Sequence, residues 1–125
     1  MRGITEIMEA LVSEIRAAAG VRVKVGWITE GDQAPLVTLL MQGSAIRPLD
    51  QGCSKLIYEL RLQMDVWHVS PKRRDETLEK IAKHLEAAGT MRRNGWYAVK
   101  VEEITDADDG TFFRKISTLS LKAVG

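Results

Sequence analysis

The chain has one cysteine, Cys53. That excludes an intrachain disulfide and a cysteine-based zinc cluster, and it suits a reducing compartment. Histidine is nearly as scarce, with only His68 and His84 available for proton transfer or metal binding. No apolar run approaches the roughly 18 residues a membrane helix needs, so no membrane contact is expected. Glu6, Glu9, Glu14 and Arg16 interrupt the opening segment and break any secretory apolar core. The net charge of +1 provides no global basic field of the kind that drives nucleic-acid binding, and no sequence-specific nucleic-acid role is expected. Neither G-x-x-x-x-G-K-[ST] nor G-x-G-x-x-G occurs, so nucleotide binding has no motif behind it. Internal repeats and low-complexity tracts are absent too.

What remains is ordinary globular material, 45% hydrophobic and 28% charged. A chain of 125 residues reads as a single domain, 1–125, able to hold a core without staples. Ile4, Ile7, Met8, Leu11, Ile15 and Ala18 recur at helical spacing and predict a helix ending before Gly20. Strands are predicted over Val21–Trp27, Leu36–Gln42 and Lys55–Trp67. The segments TEGDQAP and GSAIRPLDQGCS read as loops. Ser70 then caps a second helix with Pro71 at its first position, and Leu78, Ile81, Ala82 and Leu85 form its apolar stripe. Gly89 is its expected C-cap, Asn94-Gly95 signals a turn, and two final strands flank the acidic turn DADDG. The expected fold is α+β in the order α-β-β-β-α-β-β. Its sheet is mostly antiparallel, with two helices packed on one face.

The strand Lys55–Trp67 is long, roughly 40 Å at about 3.3 Å per residue. Leu56, Tyr58, Leu60, Leu62, Met64 and Val66 share one face; Glu59, Arg61, Gln63 and Asp65 lie on the other. A polar face of that length is expected to project as an arm or to be covered by another subunit. Lys72, Arg73 and Arg74 follow in the first turn of the next helix, where the helix dipole prefers anions. Either they are solvated beside Asp75, Glu76 and Glu79, or they await carboxylates or phosphates on another molecule.

Catalytic chemistry finds little support. His84 reads as solvent-facing. His68 has no serine or cysteine at a diagnostic spacing, and Cys53 beside Gly52 reads as inert. DADDG lacks the ligand pattern of a calcium loop and reads as a solvated turn. No catalytic residues, metal ligands or cofactor are expected.

The succession of segments, however, resembles the tail-completion, or tail-terminator, proteins of long-tailed phages. The similarity rests on Gln33-Ala34-Pro35, the strand end Gln63 to Trp67 reading Q-x-D-V-W, the helix opening SPKRRDETLEKIAKHL, and the closing segments MRRNGWYAVKVEEITD and FFRKISTLSLKA. The loop from Gly43 to Ser54 shows no family signature. The resemblance implies a non-enzymatic virion protein, made in the host cytoplasm, that assembles as a ring, usually a hexamer. Its partners would be further copies of itself, the tail-tube protein and the head connector protein. In such a ring Glu59, Arg61, Gln63, Asp65, Lys72, Arg73 and Arg74 would form the interface, setting register by charge. From the residues alone, a small ligand-binding or regulatory module and an enzyme using His68 with Cys53 or an acid stay open beside this reading.

Overall fold

The computed structural model describes residues 3–49, 51–52, 55–108 and 112–124. Helix α1 covers Ile4–Ala19, and the Glu6 carboxylate accepts the Gly3 N–H at its start, 2.9 Å away. Ile7, Leu11 and Ile15 are its fully buried stripe. Gly20 ends it in the left-handed region (φ 65°), where a side chain is disfavoured. Strands β1 (Arg22–Val25), β2 (Leu36–Pro48) and β3 (Leu56–His68) follow. Helix α2 spans Pro71–Leu85, with the Ser70 hydroxyl accepting the Arg73 N–H as its cap. A short helix α3 (Ala88–Asn94) precedes strands β4 (Trp96–Asp106) and β5 (Phe113–Val124).

The five strands lie in the order β1-β2-β3-β5-β4. β1 runs parallel to β2, and the other neighbours are antiparallel. This is the expected α+β architecture. Leu60, Leu62 and Met64 of β3 join Leu119 and Leu121 of β5 under the stripes of α1 and α2, so both long helices cover one face. β3 is the central strand and is flanked along its length by β2 and β5, so it does not project as an arm.

Three local expectations change. β2 does not stop at Gln42 but continues to Pro48 through an irregularity between Met41 and Gly43. Gln42 is the extra residue without a partner on β3, as in a β-bulge, which bends a strand where it occurs. Gly89 lies inside α3 rather than capping α2, which ends at Leu85. Asn94-Gly95 is not a hairpin turn: Gly95, with φ 70°, terminates α3.

Candidate assembly surface

The sheet face away from the helices carries the polar side of β3, and its two ends differ. At the His68 end, Asp65 is 1% exposed and accepts from Arg114 of β5 at 2.7 and 3.0 Å. The Gln63 amide donates to the same carboxylate. Arg114 lies between two indoles, 4.8 Å from the Trp27 ring centre and 4.7 Å from that of Trp67. Trp67 donates its indole N–H to the Thr38 hydroxyl at 3.0 Å. The loop after Trp27 is tied back to β1, with Asp32 accepting from Lys24 (2.7 Å) and from the Thr29 N–H (2.7 Å). Those bonds keep the Asp32 carboxyl well below the usual carboxylate range.

The other end is more open. Arg61 is exposed. Glu59 lies 3.2 Å from Arg47 and 3.8 Å from Lys122, with 31% of its side chain exposed. Glycine, alanine and serine at Gly43, Ala45, Ala98 and Ser120 leave a shallow open trough here, about 380 Å³, beside Glu59 and Arg61.

The basic start of α2 is also divided. Lys72 and Arg73 are exposed, and the Lys72 ammonium lies 4.0 Å from the Glu76 carboxylate. Arg74 is 4% exposed and reaches Asp75 (3.0 Å), Asp106 (3.4 Å) and Asp108 (2.7 Å). Lys115 joins Asp75 at 2.8 Å and Asp106 at 3.2 Å. Burial opposes the Arg74 charge, but the three aspartates outweigh it and hold the guanidinium protonated. Lys115, then Arg74, holds the Asp75 carboxyl below its ordinary range despite some burial. The acidic partners expected on another molecule are therefore supplied to Arg74 by the chain itself. Asp106 and Asp108 are not merely a solvated turn; Asp109 and Gly110 lie outside the described residues.

Of the seven residues singled out in the sequence, the fold keeps Arg61, Lys72 and Arg73 exposed and leaves Glu59 half-buried beside Arg47 and Lys122. Asp65 and Arg74 are buried against partners in the same chain, and Gln63 is half-buried beside Asp65. Charge alternation alone does not distinguish these outcomes, because the partners arrive from distant segments: Arg114 from β5, Asp106 from the end of β4 and Asp108 from just beyond it. Trp27 and Thr38 were missed for the same reason.

The histidines are placed as follows. His68 is 7% exposed, and its Nδ1 accepts the neighbouring Val69 N–H at 2.9 Å. Burial, then Arg73, pushes its pKa down. The Cys53 side of a Cys53–His68 pair lies outside the described residues. His84 is not simply solvent-facing: it sits 3.0 Å from Glu14, which also binds Arg93 and Asn94. Among the described residues, no three His, Cys, Asp or Glu side chains gather as a metal site.

No protein-family model matches the chain, and no curated protein matches it. A solved structure does. It is the virion of a native gene transfer agent (GTA) particle, one of whose chains superposes with a TM-score of 0.51. The match covers 95% of this chain and 92% of that one at 10% identity. The fold is one found in a virion particle. At such low identity, backbone architecture is what the two chains share, and side-chain roles must be argued from this chain alone.

Proposed function

We propose that this chain is a structural virion protein that forms an oligomeric ring on the head-proximal end of a phage tail tube. There it stops tube growth and joins the tail to the head connector. The observation that carries this reading is the fold likeness to a virion chain over nearly the whole length of both. The order of segments that resembles tail terminators supports it independently. So does the free half of the outer sheet face, where Glu59 and Arg61 lie beside a trough of small residues. A flat face of that kind offers close backbone approach and a charge register, which suits a protein partner better than a small ligand.

The ring contact is heterologous: one surface of each copy meets a different surface of the next. Arg61 and Glu59 with Lys72 and Arg73 belong to that contact. Asp65, Gln63 and Arg74 act behind it, fixing the strand and helix that present the free charges. Catalysis has no part in this reading.

The test is tail assembly observed by electron microscopy, with the chain present and withheld. Tubes of defined length bearing a terminal ring are expected when it is present, and overlong tubes without heads when it is withheld. Tubes of unchanged length distribution, with no density for this chain at either end, would overturn the proposal.

A further inference from the structure

The start of α2 holds three donors that the fold leaves without acceptors. The first is on His68. Its ring is 7% exposed, and its Nδ1 accepts the Val69 N–H, so the neutral ring carries its proton on Nε2. Among the described residues nothing accepts that proton. Trp96 Nε1 is the one fully buried side-chain nitrogen or oxygen without a partner among these residues, so the His68 Nε2–H opens to solvent. The second donor is Arg73, which is exposed and forms no ion pair among the described residues. The third is the backbone N–H of Lys72. Pro71 has no N–H, the Arg73 N–H goes to the Ser70 hydroxyl, and the Arg74 N–H goes to the Ser70 carbonyl. The Lys72 N–H is left over, at the positive end of the helix dipole.

These donors lie close together. His68 closes β3, and Arg73 stands in the first helical turn, five residues on. Helix side chains lean toward the N-terminus, which carries Arg73 back toward the strand end. Its charge acts on the His68 ring and, with burial, disfavours a second proton there. The acids of the same turn are engaged elsewhere. At about 100° per residue, Asp75 points roughly 160° away from Arg73. Asp75 is bound on that other flank by Arg74 and Lys115, and Glu76 is 4.0 Å from Lys72.

We infer that His68 and the first turn of α2 receive one carboxylate, and that in the ring this carboxylate is an Asp or Glu side chain of the neighbouring copy. This rests on the ring reading above and names the group that Arg73 meets there. A carboxylate accepts at both oxygens, so it satisfies the guanidinium fork and still takes a bond from the His68 Nε2–H or the Lys72 N–H. The helix dipole favours the same charge. One unpaired guanidinium matches one carboxylate, whereas a nucleic-acid backbone would bring a further negative charge with each residue, close to Asp75 and Glu76.

Two measurements test it. In the isolated wild-type chain, sodium acetate is exchanged for sodium chloride at constant ionic strength while the His68 imidazole resonances are followed by NMR. A saturable shift is expected, and Arg73→Gln should abolish it. In assembled tails, isotope-labelled and unlabelled Arg73→Lys chains are mixed and treated with a carbodiimide, which joins an amine to a touching carboxylate as an amide. Mass spectrometry should find position 73 linked to an Asp or Glu peptide of the other isotope. Arg73→Gln should give no such link and should weaken self-association by at least about tenfold, the effect of losing one charge-assisted contact. Circular dichroism confirms that each variant folds. No response to acetate overturns the site. Links confined to one chain, or made only to another virion protein, overturn the neighbouring copy as its occupant. Normal tail capping by Arg73→Gln would remove this contact and leave the proposed function standing. Failure of the wild-type chain to cap would remove the function itself.

Discussion

Both halves of the outer face of β3 read alike in the sequence, as polar residues at alternate positions, yet the fold treats them in opposite ways. The half around Asp65 is closed: a carboxylate 1% exposed, an arginine held between two tryptophans, and an indole N–H bound to Thr38. The half around Arg61 is open, with small residues beside it and solvent above. The difference shows that polarity on a strand does not by itself mark a surface. A buried ion pair needs its partner in place, because an unpaired charge away from water is strongly unfavourable. The closed half therefore ties β2, β3 and β5 together, while in the open half Arg61 stays exposed and Glu59 lies beside Arg47 and Lys122.

The largest effect is expected on the opposite, helix-covered face, which sets the scale for both halves. Leu60 is 2% exposed in the core, so Leu60→Ala should cost about 2–5 kcal/mol in a denaturant melt. A loss below about 0.5 kcal/mol would mean that the site collapses without a cavity.

Next comes the closed half. Arg114→Ala leaves Asp65 buried without its cation, and a loss of roughly 3 kcal/mol is expected. The Trp27 fluorescence should shift as its stacking partner disappears. An unchanged melt would reduce Arg114 to the standing of a surface charge and erase the contrast between the halves.

Smaller still is the acid response of the ion cluster at the start of α2. The Asp75 carboxyl is held below its ordinary value by Lys115 and Arg74. A group depressed on folding contributes stability that is complete above its unfolded pKa of about 3.9 and is lost as pH falls through the lower folded value. Melts at descending pH should therefore show wild-type stability falling below about pH 4 more steeply than that of Asp75→Asn. Parallel curves would show that the cluster contributes nothing by this route.

The smallest effect on folding is expected in the open half. Arg61→Glu with Arg73→Glu should shift the melt by no more than about 0.5 kcal/mol, since both residues are exposed. The same pair should weaken ring formation or tail capping, measured by sedimentation and tail-length microscopy. Normal assembly at physiological salt would leave the open half without a partner and return Lys72 and Arg73 to the role of solvated side chains.

The sequence by itself determined the helices α1 and α2, the central strand and the burial of its even-numbered face. These follow from local rules: apolar spacing, Ser70-Pro71 at a helix start and Gly20 at a helix end act within a few residues. It also supplied the charged candidates Arg61, Lys72 and Arg73, which the fold keeps exposed. Tertiary structure decided the extension of β2 to Pro48, the helix at Ala88–Asn94, and the withdrawal of Asp65 and Arg74 from the surface. The withdrawal of Asp65 and Arg74 depends on pairing across long chain separations. Arg114 reaches Asp65 only because β5 lies beside β3 in one register, and Asp106 and Asp108 reach Arg74 only because the end of β4 returns to the start of α2. A charge shows its sign in the sequence, but whether it is spent inside the molecule depends on which distant segment the sheet brings within about 3 Å, the reach of a charge-assisted hydrogen bond.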